Sequence, residues 1–545
     1  MVSSAGKYLR WLWSYSKGAR SALSWNIVLG VATVALNLVF IWLCKALVDI
    51  ATKESTGSIY AFAGAILVVV VLRLLFGALN LRLENITLAK MNFNIRSRLY
   101  SNLMQSRWMG RDDLHTGDTL NRLISDVDKV AEAICVEFPA FVTTMVQLVA
   151  AFLFLCLLQW KLALVLILLT PAFLAFSKLF FRRMRALTTK IRSSESRVQS
   201  HIQESLQHKA VVQSMETGDF MQERLDSLQE TEYGQILDRT RFNIFARTMV
   251  GAAFNIGYIT AFLWGVFGIW KGTVTFGVMT AFLQLVGQIQ GPTVRLTHQI
   301  PSFANATASI DRLMALEDSP KEETGDPVVI PGVAGIRLEG VTFRYDESER
   351  FIFKDFSFDF PPGSRTAVVG ETGVGKSTLV RLMMALLAPQ EGRVVLYGEG
   401  KEAEASALTR RNLVYVPQGN SLFSGTIREN LRLGKPDAGE DEMRRVLETA
   451  AAEFVFDLPD GLDTVCGESG TGLSEGQAQR IAIARGLLRP GSILLLDEFS
   501  SSLDPDTEDR LMRGLIAGQE DKTMIFITHR QKISEFCKTK LSLER

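Results

Sequence analysis

The stretch Gly370-Glu-Thr-Gly-Val-Gly-Lys-Ser377 decides the fold of the second half of the chain. It follows the apolar run Ala367-Val-Val and precedes an apolar segment with helical spacing. This arrangement of glycines, lysine and serine between a strand and a helix is typical of a P-loop. Its glycines let backbone N–H groups approach phosphate oxygens, and the positive end of the helix faces the same oxygens. The residues expected to bind the phosphates are Gly370, Glu371, Thr372, Gly373, Val374, Gly375, Lys376, Ser377 and Thr378.

A second apolar run, Ile493-Leu-Leu-Leu, ends in Asp497 and Glu498. An acidic residue at the carboxyl end of a buried strand lies where open α/β sheets place their chemistry. Downstream of a P-loop, this pattern predicts that Asp497 holds Mg²⁺ together with the hydroxyl of Ser377. Glu498 is then positioned to activate the attacking water as a general base. The two motifs together predict a site for ATP and Mg²⁺.

The composition indicates that part of the chain is not exposed to water. Of the 545 residues, 47% are hydrophobic and 21% are charged, which is more apolar than is usual for a water-soluble chain of this size. The net charge of +1 gives no reason to expect nucleic acid as a partner. The five cysteines are scattered and form no C-x-x-C pair, so they predict neither a disulfide framework nor a metal site.

The first half of the chain contains apolar stretches long enough to cross a bilayer, which takes about 20 residues in a helix. We predict about six spans, although Arg73 lies in the second and three glutamines lie in the last. The helical spacing of residues 85–107 and 186–206 continues the helices beyond the membrane. The predicted spans lie near residues 22–49, 58–84, 133–158, 161–181, 245–270 and 274–294.

The basic residues indicate which ends of the spans lie in the cytoplasm. They are concentrated before the first span and in the stretches 85–130 and 182–243, whereas the other connections are short and carry few charges. Because basic flanks stay on the cytoplasmic side, we expect the amino terminus and both long connections there, in a multi-pass protein of the plasma or inner membrane. The cationic and aromatic segment 7–17 is typical of a helix in the headgroup plane.

The polar, proline-bounded stretch 319–327 separates two halves of different character. Beyond it, short β-rich runs alternate with helical patterns, which favours an α/β domain with a largely parallel sheet. The predicted organisation is a transmembrane domain over residues 1–317, a linker over 318–334 and a nucleotide-binding domain over 335–545. The fold class is therefore a helical membrane bundle fused to an α/β P-loop domain, which we expect in the cytoplasm.

The order of the motifs resembles that of an ATP-binding cassette (ABC) domain. Between the P-loop and the apolar run with its Asp-Glu pair lies Leu473-Ser-Glu-Gly-Gln477, which matches the signature motif of that family. The resemblance implies that Tyr345 stacks on adenine, that Gln418 senses Mg²⁺ and the attacking water, and that His529 contacts the γ-phosphate. It also implies a role at the nucleotide for Asp504, in a stretch similar to the family's D-loop.

Spans and cytoplasmic helices fused before a cassette are similar to an exporter-type half-transporter, and this resemblance covers nearly the whole chain. It implies that segments 112–118 and 207–215 are coupling helices that dock on the cassette. It further implies that Glu468 is the acidic residue found before the signature in exporters. The short stretch from Arg530 to Arg545 puts completion of the sheet by a terminal strand in doubt.

The resemblance also predicts a dimer. In this family two cassettes face each other head to tail, and the P-loop of one and the signature of the other enclose one ATP. Ser474, Gly476 and Gln477 are therefore expected to contact a nucleotide bound to a second chain. A second copy of this chain is the expected partner, and a heterodimer with a weaker sister chain is the alternative. Glu475 stands where the family commonly has glycine, and we expect its side chain to face outward.

The expected function is ATP-hydrolysing export of an amphipathic, lipid-like or drug-like substrate by alternating access. The alternatives are import of a siderophore-like cargo, or one half of a heterodimeric transporter or ATP-gated channel. Polar residues inside the spans are costly and are therefore candidates for the substrate path, although Lys45 and Asp49 could simply pair with each other. The candidates are Lys45, Asp49, Arg73, Glu132, Glu137, Asn255, Gln284, Gln288 and Gln290.

Overall fold

The structure is a computed structural model that describes residues 2–108, 116–345, 350–467, 472–519 and 521–544. It divides into two compact units. The first comprises the described parts of Met1–Ser101 and Thr116–Glu317, and the second those of Asn102–His115 and Asp318–Arg545. Residues 102–108 therefore belong to the unit that carries the nucleotide motifs.

The first unit is helical throughout its described residues, apart from short turns. Two π-helical turns, Arg122–Asp126 and Ala133–Glu137, flank one of its short helices. The α-helices are α1 (Val2–Tyr15), α2 (Arg20–Ala51), α3 (Ile59–Met104), α4 (Thr116–Asn121), α5 (Val127–Glu132), α6 (Phe138–Gln207), α7 (Lys209–Ser214), α8 (Gly218–Trp270) and α9 (Phe276–Glu317).

Several of these helices have the length and apolar character of membrane spans. Among the described residues, four helical segments are long and apolar enough to cross a membrane: Arg20–Ala51, Ile59–Met104, Gly117–Lys161 and Gly218–Trp270. Of the other two predicted spans, 161–181 lies within α6, and 274–294 overlaps α9 from Phe276 onward. α6 is kinked at Gln159, whose φ of −158° and ψ of 92° are not helical. This kink lies between the predicted spans 133–158 and 161–181.

Helix α9 packs against α2, α6 and α8. Their shared core includes Ile41, Leu155, Ala261 and Phe282, each at most 1% exposed. The buried carboxylate of Asp49 fixes the start of α9, because its Oδ1 accepts a hydrogen bond of 3.0 Å from the amide of Gly277. The first amides of a helix lack partners within the helix and attract negative charge.

Lys45 and Asp49 pair with each other, as the alternative interpretation of these residues anticipated. The Lys45 ammonium lies 3.1 Å from Oδ2 of Asp49, one helical turn away. Since Asp49 also binds the start of α9, this pair has a structural explanation. We therefore do not assign it to the substrate path.

The other end of α9 is tied to the first π-helical turn. Asp126 is 3% exposed and receives both arms of the Arg312 guanidinium, at 2.7 Å from Nε and 2.6 Å from the terminal nitrogen. Ser309 donates a third hydrogen bond to the same carboxylate at 3.0 Å. A buried carboxylate is stable only when it is paired and fully hydrogen-bonded, and Arg312 and Ser309 meet that need.

The second unit is an α/β domain. Its strands are β1 (Gly335–Phe343), β2 (Phe353–Phe360), β3 (Arg365–Gly370), β4 (Glu391–Gly398), β5 (Lys401–Glu404), β6 (Leu413–Val416), β7 (Gly425–Thr426), β8 (Val465–Cys466), β9 (Ile493–Asp497), β10 (Thr523–Ile527) and β11 (Thr539–Leu543). Its α-helices are α10 (Lys376–Met383), α11 (Ile427–Arg432), α12 (Glu440–Thr449), α13 (Glu475–Leu488), α14 (Pro505–Gly518) and α15 (Gln531–Glu535).

Two larger sheets and one short strand pair form this domain. An antiparallel sheet has the order β2-β1-β4-β5, and the core sheet is parallel with the order β11-β3-β10-β9-β6. β9 and β10 are buried at every residue, which explains why they read as continuous apolar runs. β11 pairs in parallel with β3, so the stretch after Arg530 does complete the sheet and the doubt raised by its shortness was wrong.

The parallel sheet brings the motifs together, because the carboxyl ends of its strands meet at one edge. β3 leads into the P-loop and β9 ends in Asp497. β6 leads to Gln418, and β10 leads to His529. The edge of the sheet therefore collects four separate parts of the sequence into one place.

The two predicted coupling segments differ in what the structure describes. Segment 207–215 contains α7, in which Val211 is 49% exposed, and Met215 directly after the helix is 68% exposed. Exposed apolar side chains on a short helix are available for docking. Residues 112–115 of the other segment lie outside the described residues, as does Glu468.

Candidate active site

The P-loop connects β3 to α10 and has the backbone that its glycines permit. Gly373 and Gly375 have φ values of 85° and 111°, which residues with side chains rarely adopt. A Cβ at Gly375 would lie 2.6 Å from a methyl group of Ile352, so only glycine fits there. Gly375 is also the N-cap of α10, and the first amides of that helix need external acceptors. The loop can therefore hold an anion through backbone N–H groups.

The side chains of the loop divide into buried and accessible ones. Lys376 is 9% exposed, and its Nζ donates to the backbone oxygens of Gly370 at 2.8 Å and Glu371 at 3.1 Å. Val374 and Thr378 are buried, whereas Glu371, Thr372 and Ser377 are exposed. The ammonium of Lys376 thus lies within the loop, where it can bind phosphate, and the Ser377 hydroxyl is accessible to a ligand.

Tyr345 lies beside the P-loop helix. Its hydroxyl is 3.3 Å from Oγ1 of Thr378 and accepts a hydrogen bond of 3.2 Å from Arg381. The ring meets Phe343 edge-on, with centroids 5.2 Å apart. These contacts place an aromatic ring next to the start of α10, as its predicted role in adenine stacking requires.

Asp497 and Glu498 are adjacent in sequence but lie in different environments. Asp497 is 5% exposed, and burial, together with the charge of Glu498, raises its pKa, which a hydrogen bond from Tyr415 and the charges of Lys376 and Arg381 partly offset. Glu498 has a φ of 44°, which is unusual for a residue with a side chain. Such a conformation persists only where the surroundings fix it, and it often marks a functional site.

The structure brings the three predicted catalytic residues together. The Gln418 amide donates to Oε2 of Glu498 at 2.7 Å, and Nδ1 of His529 lies 3.7 Å from Oε1. The Glu498 side chain is 19% exposed and that of His529 is 61% exposed. A carboxylate oriented by two neighbours and open to solvent can accept a proton from an attacking water.

Oxygen donors suited to a divalent cation lie at the same edge of the sheet. The Ser377 hydroxyl is exposed at the start of α10, while Asp497 supplies a carboxylate and Gln418 an amide. Mg²⁺ prefers ligands of this kind and usually keeps several waters. The residues therefore fit a nucleotide accompanied by Mg²⁺.

The signature residues form the start of α13. Ser474 is the N-cap: its Oγ accepts from the Gln477 amide at 3.2 Å, and Gln477 Oε1 accepts from the Ser474 amide at 2.9 Å. Ser474 and Glu475 are exposed, in keeping with the expected outward position of Glu475. Gly476 is buried, and a Cβ there would lie 2.8 Å from the backbone oxygen of Ser502. The described hydrogen bonds of Ser474 thus stay within its own helix turn.

Asp504 also begins a helix. Its Oδ1 accepts a hydrogen bond of 2.9 Å from the Thr507 amide, which makes Asp504 the N-cap of α14. This hydrogen bond lowers the pKa of Asp504. Helix capping gives Asp504 a structural role. Its role at a nucleotide stays a prediction.

Two family models match the chain. The model of the ABC transporter transmembrane region matches residues 23–293, and the ABC transporter model matches residues 353–501. The chain belongs to the ABC transporters. One transmembrane region followed by one cassette is the arrangement of an exporter-type half-transporter, so this ABC transporter is an ATPase joined to a membrane permease, and the predicted fold class is confirmed.

Similar proteins support the same assignment. The putative multidrug export ATP-binding/permease protein YgaD of Bacillus subtilis (strain 168) is 28% identical over 449 residues, which are 82% of this chain and 77% of YgaD. A protein of the same description from Staphylococcus aureus (strain NCTC 8325 / PS 47) is 28% identical over 447 residues, 81% of this chain and 77% of that protein. A solved bacterial Atm1-family ABC exporter with ATP bound has the same fold, with a TM-score of 0.81, 23% identity and coverage of 97% and 94% of the two chains.

Sequence reasoning missed two residues at the site of this ABC transporter. Tyr415 donates to Oδ2 of Asp497 at 3.4 Å, and Arg381 donates to the hydroxyl of Tyr345. The guanidinium of Arg381 also lies 4.6 Å from the ring of Trp108. Tyr415 lies on β6, and only the pairing of β6 with β9 brings it to Asp497.

We expect Tyr415→Phe to weaken the apparent affinity for Mg²⁺ about fivefold, since one hydrogen bond to a carboxylate contributes about 1 kcal/mol at this length. Burial and the nearby Asp497 raise the pKa of Tyr415 to about 12, so its hydroxyl donates at every physiological pH. The measurement is ATPase activity titrated with Mg²⁺ at saturating ATP.

Tyr397→Phe is the matched control, because the Tyr397 hydroxyl donates to Asp359 at 2.7 Å in the antiparallel sheet. This variant loses the same kind of hydrogen bond and should leave the Mg²⁺ titration unchanged. Equal titration curves for Tyr415→Phe and the wild type would show that the hydroxyl does not position Asp497.

Proposed function

We propose that two copies of this chain form an exporter that moves an amphipathic, lipid-like or drug-like substrate across the cell membrane by alternating access. The observation that supports a dimer is the exposed position of the signature serine. The P-loop edge has its own catalytic residues, whereas Ser474 is exposed on α13 and bonded within its own turn. A nucleotide on the P-loop of one chain would then be enclosed by α13 of the other.

In this proposal each residue has a defined task. Tyr345 stacks on adenine and Lys376 binds the β- and γ-phosphates. Ser377, Asp497 and Gln418 hold Mg²⁺. Glu498 activates the attacking water, and His529 contacts the γ-phosphate. ATP binds the closed pair of cassettes more tightly than the open pair, so binding favours the outward-open spans and hydrolysis resets them.

Other observations support the proposed direction and location of transport. The names of the curated relatives describe them as multidrug export proteins, which favours export. The basic residues around the long connections favour a cytoplasmic cassette, where ATP is available. The plasma or inner membrane is therefore the proposed location.

A polar cluster between α6 and α9 supports an amphipathic cargo. Gln147 donates to Gln288, and Arg295 donates to Oε1 of Gln147 at 2.9 Å. Arg295 is exposed, and Gly287 and Gly291, at the two preceding helical turns of the same face, have open space in front of them. Polar side chains in a membrane bundle are costly unless they serve a ligand or one another. The cluster offers a cation and amide groups to the polar head of a substrate.

We expect Arg295→Ala to raise the half-stimulating concentration of an anionic amphiphile by about tenfold or more, because a charge-assisted hydrogen bond is lost. The measurement is ATPase activity of reconstituted protein against a panel of lipids and amphiphiles. Arg295→Lys should retain part of the response. Arg241→Ala is the control, since the Arg241 side chain is 78% exposed on the cytoplasmic part of α8. An unchanged response in Arg295→Ala would remove the cluster from the substrate path.

Transport assays separate export from its alternatives. In inside-out vesicles, ATP-dependent uptake of a labelled amphiphile supports export, whereas ATP-dependent loss of a preloaded cargo indicates import. An ATP-gated current without stoichiometric turnover indicates a channel. Hydrolysis that appears only after mixing with a different cassette chain indicates a heterodimer.

A further inference from the structure

Helix α1 has two faces of different chemistry. Trp11 and Tyr15 are 8% and 3% exposed and lie against the first unit. Lys7 and Arg10 of α1 are exposed, and so is Lys17, two residues beyond the end of the helix. Between them Trp13 is 63% exposed. One stripe of α1 is therefore aromatic and buried, while the exposed residues of the helix and of the turn after it include three cations; we call these cations the free face of α1.

The buried face holds the last residue of α9. The indole Nε1 of Trp11 donates to Oε2 of Glu317 at 2.5 Å, and Arg98 of α3 donates to Oε1 at 2.9 Å. The Arg98 guanidinium also lies 4.4 Å from the ring of Tyr15. The Glu317 side chain is 17% exposed, so both of its oxygens are held in a partly desolvated position. We call this set of residues (Trp11, Tyr15, Arg98 and Glu317) the α9 clamp.

A second contact lies one to two turns earlier on α9. The hydroxyl of Tyr8 donates to Oδ2 of Asp311 at 3.0 Å. Tyr8, Trp11 and Tyr15 follow the spacing of one helical stripe. α1 is therefore hydrogen-bonded to the last two turns of α9. Glu317 is the residue after which the chain leaves the first unit.

The free face of α1 fits an anionic surface. Its cations have no acidic counterparts nearby in sequence, because the first acidic residue of the chain is Asp49. Each lysine or arginine near a leaflet of anionic lipids strengthens binding roughly fivefold. The exposed ring of Trp13, which the Arg20 guanidinium covers at 4.0 Å, suits the headgroup level of a membrane.

We propose that anionic lipids regulate this transporter through α1: headgroups bind its cationic face and thereby hold its aromatic face against Glu317. When the headgroups are neutral, α1 is held only by the clamp contacts and the last turns of α9 open more often. The inference rests on the membrane location given above, but it requires neither a particular substrate nor a particular direction of transport.

The experiment measures hydrogen exchange of residues 311–317 in full-length protein in nanodiscs. One set of discs contains phosphatidylcholine alone, and the other contains phosphatidylcholine with phosphatidylglycerol. We expect these amides to exchange about tenfold more slowly in the anionic discs, because bound headgroups add to the stability of the docked α1. High salt should remove the difference, since it screens exposed charges.

Three variants test separate parts of the proposal. The triple change Lys7→Gln, Arg10→Gln and Lys17→Gln should abolish the response to phosphatidylglycerol. Trp11→Phe keeps an aromatic ring but removes the N–H donor, and should raise exchange at residues 311–317 in both kinds of disc. Glu317→Gln should do the same, because it keeps the shape of the side chain and loses its charge.

The matched control removes three exposed cations from the cassette by Lys354→Gln, Lys532→Gln and Lys538→Gln. It should respond to phosphatidylglycerol as the wild type does. Equal exchange of the wild type in both discs, or a full response in the α1 triple variant, would overturn the proposal. Wild-type exchange in Trp11→Phe and Glu317→Gln would overturn the role of the clamp. Because exchange needs no substrate, these results are independent of transport assays.

Discussion

Glu498→Gln is expected to reduce ATP hydrolysis by roughly two to four orders of magnitude, the usual contribution of a general base, while ATP still binds. The amide oxygen of the new side chain can still accept the hydrogen bond that Gln418 donates to Glu498 at 2.7 Å. The geometry is thus kept while the proton acceptor is lost. In the proposed mechanism ATP favours the closed pair of cassettes, so the variant should accumulate with ATP trapped.

The measurement combines two readouts on the same preparation. Phosphate release reports hydrolysis, and retention of labelled ATP after rapid desalting reports trapping. Glu535→Gln is the control, because Glu535 is an exposed carboxylate on α15 of the same unit. It should hydrolyse and release ATP as the wild type does. Near wild-type hydrolysis in Glu498→Gln would refute the assignment of the general base.

A second large effect on ATPase activity is expected in mixed dimers, which show which chain completes each nucleotide site. Lys376→Ala removes the P-loop ammonium, and Ser474→Arg places a bulky cation at the exposed start of α13. Either change in both chains should abolish nearly all activity. A dimer with Lys376→Ala in one chain and Ser474→Arg in the other has one intact site in a head-to-tail arrangement, so about half of the sites remain.

The matched control places both changes in one chain and pairs it with a wild-type chain. This dimer carries the same two substitutions, but each shared site now has one defect. With two affinity tags to isolate mixed dimers, we expect activity when the changes are in different chains and little when they are in the same chain. The reverse result would show that each chain completes its own site.

The motifs of the candidate nucleotide site could be located in the sequence because they carry local signals. Gly373 and Gly375 of the P-loop adopt backbone angles that residues with side chains rarely adopt, and the continuous apolar run of β9 marks a buried parallel strand that ends in Asp497. Tyr415 gave no such signal. Its contact with Asp497 depends on the order of strands in the sheet, and strand order is not a local property of the sequence.

In the membrane half, too, contacts that depend on tertiary packing could not be predicted from local sequence. The apolar stretches predicted where the helices lie, but not that Asp49 binds the amide of Gly277, more than two hundred positions away. Such a contact depends on how α2 and α9 pack. β11 is a similar case, because its pairing with β3 places it in the sheet, whereas its own short sequence did not predict a strand there.

The carboxylate of Asp126, which binds Arg312 and Ser309, has a mechanical consequence. It ties the carboxyl-terminal part of α9 to the neighbouring π-helical turn, so the two segments move together as one rigid unit. Any bending of the helices during a conformational change is therefore confined to positions outside these contacts. The second π turn, Ala133–Glu137, lies outside these contacts and is a natural compliance point, because its hydrogen bonding is less regular than that of an α-helix.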